Sequence, residues 1–193
     1  REGISQTAKF ELNEGVTVIT DDGRIVEAGS GEMGKIATST FVPLGYYKDE
    51  DKSKATFREI NGTRYSFPGD YAKVEKDGSI TLLGRGSVCI NTAGEKVFPE
   101  EVEEAMKRKE EVVDCLVVGI PDERFGERVI AVTSLDDGSN LDDVLLIEYC
   151  RENLAGYKVP KQVLMVDHVR RAPNGKADYK WAKSEALRAF GEK

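Results

Sequence analysis

The chain changes texture at Gly84-Arg85. Before that point the apolar residues come in short runs separated by turn signals. Val16 to Thr20 and Arg24 to Ala28 flank Asp21-Asp22-Gly23, and Tyr71 to Glu75 and Ser79 to Leu83 flank Lys76-Asp77-Gly78. Short runs on either side of an Asp-Gly pair predict hairpins. Gly34 to Thr40 is rich in β-branched residues and predicts a further strand. No long amphipathic helix pattern interrupts them. Residues 1–85 are therefore expected to form a small β-barrel or sandwich.

Beyond Arg85 the pattern alternates between strands and helices. Val88 to Asn91 and Lys96 to Phe98 read as short strands. Pro99 suits a first helical turn, the four glutamates from Glu100 to Glu104 favour a helix N-terminus, and Val102, Ala105 and Met106 make the apolar stripe. Val112 to Ile120, Arg128 to Leu135 and Gln162 to Val166 read as buried strands. Ser139-Asn140-Leu141-Asp142 reads as a capping box for a helix through about Leu154. A polar loop from Arg170 to Lys176 precedes a last helix with Trp181, Ala182, Ala186 and Leu187 on one side. Residues 86–193 thus predict a compact α+β domain, making the whole chain α+β. The boundary is too short for a floppy tether and reads as a hinge.

Composition removes several functions. A formal net charge of −7 argues against a general nucleic-acid binder, which needs clustered Lys and Arg. No apolar run has the length of a membrane span. One histidine, His168, gives little support to a Ser-His-Asp triad or a multi-histidine metal site, and no metal residues are assigned. Three cysteines, Cys89, Cys115 and Cys150, lie in apolar runs without metal spacing and read as reduced core thiols of a cytoplasmic protein. The start, Arg1-Glu2-Gly3-Ile4, has neither initiator Met nor signal pattern and reads as a cut inside a longer protein. Oligomeric state is left open.

Five stretches carry the chemistry. They are Phe67-Pro68-Gly69-Asp70; Gly84-Arg85-Gly86-Ser87; Thr92 to Glu103; Val117 to Glu127; and Pro173-Asn174-Gly175-Lys176-Ala177-Asp178. Each alone has a bland reading. Gly-Asp before a strand is an ordinary turn, Arg85 a solvated charge, Leu82 a core residue, Ala-Gly-Glu a β-turn and Lys176 one surface lysine among many. In this order, however, they resemble the later motifs of the adenylate-forming (ANL) superfamily of acyl-CoA synthetases, luciferases and peptide-synthetase adenylation domains. The wording from Gly84 to Lys96 looks most like the actinobacterial fatty-acyl-CoA synthetases, so steroid side-chain acids are candidate substrates beside fatty acids.

The resemblance implies roles residue by residue. Asp70 would accept hydrogen bonds from both ribose hydroxyls of AMP, a task that suits an acceptor-only carboxylate. Arg85 would contact ribose or phosphate, and Leu82 would pack near adenine. Arg85, Gly86 and Ser87 would form a hinge; Ser87 stands where the family usually has Asp or Lys. Gly94, with Glu95, would line the pantetheine tunnel of CoA. Lys176 would bridge the acid's carboxylate and the α-phosphate during adenylation. Lys158 and Lys161 could meet CoA phosphates but read better as a solvated turn.

The implied activity is acid–thiol ligation: a carboxylic acid and Mg·ATP give acyl-AMP and pyrophosphate, then CoA gives acyl-CoA and AMP. The family's phosphate loop and acyl pocket lie upstream in an N-terminal domain, which would be this chain's partner. The chain alone is expected to be inactive and to bind ATP, Mg2+ and CoA without tight affinity. Other readings are an acyl-AMP ligase or adenylation domain serving a carrier protein, and a non-catalytic module.

Overall fold

The computed structural model describes residues 9–191, so the N-terminal Arg1 to Ile4 lies outside the described residues. The chain divides into two compact units between Ser87 and Val88.

The first unit contains strands β1 (Lys9–Phe10), β2 (Val16–Ile19), β3 (Met33–Thr38), β4 (Phe57–Ile60), β5 (Thr63–Ser66), β6 (Asp70–Val74) and β7 (Ile80–Arg85), with one short helix, α1 (Glu50–Thr56). They form a single seven-stranded sheet ordered β1-β7-β6-β3-β5-β4, with β2 also paired to β3. Every ladder in it is antiparallel. The barrel or sandwich expectation is corrected here. Among the described residues the outer strands β1 and β4 do not pair with each other, so this sheet is not a closed barrel. Instead, successive side chains feed two small clusters on opposite faces. Val18 packs with Val26, Ala72, Val74 and Ile80, whereas its neighbour Ile19 packs with Ala37 and Phe67.

The Lys76-Asp77-Gly78 hairpin forms as expected, between β6 and β7. The Asp21-Asp22-Gly23 hairpin does not extend beyond one bridge, Ile19 to Ile25. Thr20 closes that turn with its own hydroxyl, which accepts the Arg24 N–H at 2.9 Å, and β2 forms its ladder with β3 instead. A third hairpin joins β4 and β5 at Asn61-Gly62, with φ of 51° and 77°. Two consecutive left-handed residues are the requirement of a type I′ turn, and Asn-Gly is its usual sequence.

The second unit holds β8 (Ile90–Thr92), β9 (Glu95–Val97), α2 (Pro99–Met106), β10 (Val112–Asp122), β11 (Gly126–Leu135), α3 (Asp143–Asn153), β12 (Gln162–Met165) and α4 (Tyr179–Phe190). The sheet runs β10-β11-β8-β9, and β12 pairs parallel to β11. The near-continuous apolar sequence of β10 has a clear cause. Cys115 and Val117 join the cluster made with α2 and α3, through Val102, Met106, Leu146 and Cys150. Leu116, Val118 and Ile120 join the cluster made with α4, through Ala182 and Ala186. The strand is covered on both faces, so alternation disappears from its sequence.

Four local expectations change. Gly86–Val88 is a 3-10 turn, and the strand begins only at Ile90. The cap of α3 is Asp142, whose carboxylate accepts the Leu145 N–H at 2.8 Å, while Ser139 binds Leu141 N–H in the preceding loop. In β12 only Val163 is buried, because the strand lies at the sheet edge. Leu187 of α4 is exposed, Ala182 and Ala186 carrying the packing.

Candidate functional site

In the first unit, the β6–β7 ladder puts Asp70 directly opposite Arg85. Arg85 Nε donates to Asp70 Oδ1 at 3.2 Å. The carboxylate is the more enclosed partner, with side-chain exposures of 26% for Asp70 and 67% for Arg85. A carboxylate with one oxygen engaged this way still has open acceptor sites for hydroxyl donors. Leu82 pairs with Ala72 in the same ladder and is half-buried. The register shifts by one between Tyr71 and Ala72, leaving Leu83 as the extra residue of a bulge. Gly86 follows, its N–H donating to Gly69 O at 3.0 Å. A Cβ there would lie 2.7 Å from the Tyr71 ring, so this glycine is demanded by space.

In the second unit, Ala93 and Gly94 are the two loop residues of the β8–β9 hairpin, with Thr92 paired to Glu95. Their φ values are 51° and 85°. An added Cβ on Gly94 would meet nothing within 4 Å, so local backbone conformation selects this glycine and the space above it is open. Gly94 and Glu95 are both exposed. The hairpin is pinned where the Ala93 N–H donates to Phe125 O at 2.8 Å and Thr92 pairs with Gly126, beside the β10–β11 turn.

Lys176 sits at the far side of a small closed loop. Arg171 bridges to Ala177, Ala172 N–H donates to Lys176 O at 2.9 Å, and Gly175 N–H donates to Ala172 O at 2.8 Å. Gly175 takes φ of 77°, and the Lys176 N–H donates to Asn174 Oδ1 at 3.1 Å. The lysine side chain is exposed and has no ion-pair partner among the described residues. Asp178 caps α4 by accepting the Trp181 N–H at 3.0 Å and pairs with Arg170 at 3.5 Å. An ammonium on a turn braced at both ends can be presented to an anion without refolding anything.

Two groups near this loop were not singled out from sequence. Arg171 donates from Nε and Nη2 to both oxygens of Asp114 on β10, at 2.6 and 2.7 Å. Glu103 of α2 is 5% exposed, accepts the Val117 N–H at 2.9 Å, and takes the Tyr179 hydroxyl at 3.4 Å. Burial pushes the Glu103 carboxyl up to about 7 and, with the nearby carboxylates, pushes the Tyr179 phenol upward as well. The paired arginines before Pro173 hint at the first; nothing local marks the second.

The remaining candidates resolve simply. Lys158 Nζ sits between the oxygens of Glu101 at 2.6 and 2.7 Å, a mostly enclosed tie between the β12 approach and α2. Lys161 lies over the Phe125 ring at 5.5 Å. Cys115 and Cys150 are buried and Cys89 half-buried; burial raises all three thiols, Cys115 to about 12 and Cys150 to about 11. His168 is exposed. Among the described residues no group of three or more His, Cys, Asp or Glu could hold a metal ion, and no helix is long and apolar enough to cross a membrane.

Residues 101–176 match the family described as AMP-binding enzyme C-terminal domain, a match that ends on Lys176. Residues 101–176 thus make up an AMP-binding enzyme C-terminal domain. The chain is 58% identical over 175 residues to the 3-oxocholest-4-en-26-oate–CoA ligase of Rhodococcus rhodochrous, covering 91% of this chain and 32% of that protein. It is 52% identical, with the same coverage, to the medium/long-chain-fatty-acid–CoA/3-oxocholest-4-en-26-oate–CoA ligase of Mycolicibacterium smegmatis. Thus it spans about a third of these relatives' length. Among solved structures, ATP-bound MatB of Rhodopseudomonas palustris matches 94% of this chain and 36% of its own, at 28% identity and a TM-score of 0.79. The o-succinylbenzoate CoA synthetase of Bacillus subtilis, bound to its acyl-adenylate, matches 88% of this chain and 34% of its own, at 27% identity and 0.76.

Proposed function

We propose that this chain serves as the C-terminal part of an ATP-dependent CoA ligase for a fatty acid or another lipophilic acid, steroid side-chain acids included. The observation that carries the proposal is Lys176, an exposed ammonium on a braced loop at the end of the AMP-binding C-terminal match. In the first half-reaction the acid's carboxylate attacks the α-phosphate of ATP and pyrophosphate leaves. Lys176 offsets the charge that builds on the phosphoryl oxygens, where a preplaced cation is most effective. Asp70 accepts the ribose hydroxyls, oriented by Arg85 from the opposite strand. Among the described residues none is assigned to Mg2+.

In the second half-reaction the thiol of CoA attacks the acyl-AMP carbonyl and AMP leaves. The Gly94-Glu95 hairpin lines the path of the pantetheine arm, its open face leaving room for a chain to pass. Residues 1–85 act as the β-rich subdomain of a large AMP-binding domain and residues 86–193 as a mobile lid, with Arg85, Gly86 and Ser87 as the hinge. The phosphate grip and acyl pocket come from an upstream domain of the same enzyme, so this chain alone is inactive and binds ATP, Mg2+ and CoA only loosely. Its free thiols agree with a cytoplasmic setting. The relatives' being CoA ligases supports CoA over a carrier protein as acceptor.

The test uses the whole ligase that contains this chain, offered dodecanoate or 3-oxocholest-4-en-26-oate with ATP and CoA, with acyl-CoA and AMP read by mass spectrometry. Acyl-CoA from at least one acid, lost in Lys176→Ala, is the expected result. Undiminished acyl-AMP formation by Lys176→Ala would defeat the proposal.

A further inference from the structure

Arg171 stands at the base of the Lys176 loop, bridged to Ala177 on its other side. Its guanidinium makes three contacts. Nε and Nη2 hold the two oxygens of Asp114, and Nη1 donates to Gly175 O at 3.3 Å, the carbonyl next to Lys176. One rigid plane therefore runs from strand β10 to the peptide that carries the lysine. Asp114 is fixed in turn: its Oδ1 accepts the Cys115 N–H at 2.9 Å, and its side chain is 19% exposed. Burial works against ionising that carboxyl, but the Arg171 hydrogen bonds, the Cys115 N–H and the charges of Arg171 and Lys107 outweigh it, and the pKa is lowered. The anchor is thus an ion near neutral pH.

We propose that Asp114 and Arg171 are positioning residues that set where the Lys176 ammonium points during adenylation. The inference rests on the reading of Lys176 given above. Neither side chain is asked to touch substrate. An ion pair kept only for stability needs two partners; here the third contact lies on the loop itself. Lysine in place of Arg171 would keep the charge opposite Asp114 but lose the planar fork that reaches Gly175 at the same time. The distinction between charge and fork makes the proposal testable apart from folding.

The experiment compares wild-type ligase with Arg171→Lys, Asp114→Asn, the double variant and Lys176→Ala. Two half-reactions are measured with a dodecanoyl probe: ATP–pyrophosphate exchange with dodecanoate, and thioester formation from dodecanoyl-adenylate and CoA. Arg171→Lys should lower exchange kcat about 10–100-fold, the scale of a misplaced catalytic group, with a smaller change in KM for ATP and in thioester formation. Its melting temperature should stay near wild type. Combining it with Asp114→Asn should add less than about threefold, since the two act as one unit. Equal slowing of both half-reactions, or no slowing of exchange while Lys176→Ala is inactive, overturns the positioning role and leaves the function standing. Full exchange in Lys176→Ala overturns the functional reading itself.

Discussion

The Glu103 carboxylate accepts the backbone N–H of Val117 at 2.9 Å, inside a unit where that side chain is 5% exposed. Burial disfavours the ionised form and raises this carboxyl to about 7 against an ordinary 4.5, although the Val117 N–H pulls the other way. Glu100 on its own helix, Lys107 at that helix's C-cap, Tyr179 from α4, and Cys115 and Arg171 are titratable groups that interact with it. The folded state therefore holds this proton more tightly than the unfolded chain. The associated stability is full below about 4.5 and is lost as pH rises through about 7. Glu103→Gln keeps an acceptor for Val117 without a charge. It should be indistinguishable from wild type at pH 4 and more stable at pH 8 by on the order of 3 kcal/mol. Chemical denaturation of both chains across that range reads the difference; a gap that does not change with pH would refute the account.

Asp114 should behave in the opposite sense. Its lowered pKa means that its contribution is present above the ordinary Asp value of 3.8 and disappears as pH falls through the folded value. Asp114→Asn is expected to lower the melting temperature at pH 7 and to match wild type once the carboxyl is protonated. A melting series from pH 7 to pH 2 checks it.

The 193-residue chain by itself should give no ATP–pyrophosphate exchange. Restoring the upstream domain should restore it, and Lys176→Ala in that context should cost at least about 100-fold, the usual loss on removing one preorganised charge-stabilising group. Turnover by the isolated chain would contradict the assignment of the phosphate grip to another domain.

Asp70→Ala in the whole ligase should weaken ATP more than it weakens the acid. Losing a carboxylate that accepts hydroxyls is worth about 1.5–3 kcal/mol, or roughly a ten- to hundredfold rise in the KM for ATP. Arg85→Ala should shift in the same direction by less, because it acts partly by orienting Asp70 across the ladder. An unchanged KM for ATP in Asp70→Ala removes this residue from the nucleotide site.

Gly94→Ala puts a Cβ into open space but onto a left-handed backbone, at a cost of about 1–2 kcal/mol. The hairpin should still form, held by the Ala93 contact to Phe125. Thioester formation should slow while exchange persists. Equal slowing of the two would mean that the hairpin acts through folding alone.

Much of the second unit could be read from sequence because its signals are local. Pro99 opens α2, Asp178 caps α4, and the long apolar run of β10 announces a strand covered twice. The first unit was harder. Whether short strands close into a barrel depends on which edges meet, and that is decided by contacts far apart in the chain. Thr20 stopping a hairpin after one bridge is a side-chain event that turn patterns do not encode. The Asn61-Gly62 turn was a signal in plain sight that the two Asp-Gly turns overshadowed. Asp70 and Lys176 could be picked out because they belong to ordered motifs. Asp114 could not, since its partner Arg171 lies 57 residues away and a lone Asp on a strand carries no pattern.

Strands β10 and β11 run as one continuous ladder from Asp114 opposite Ser134 to Asp122 opposite Gly126. The lysine turn is clamped at the first end and the glycine hairpin at the second, roughly 27 Å apart for eight extended residues. These are two tools mounted on opposite ends of one stiff bar. Were both to serve one fixed reaction centre, only one of them could be offered to it at a time.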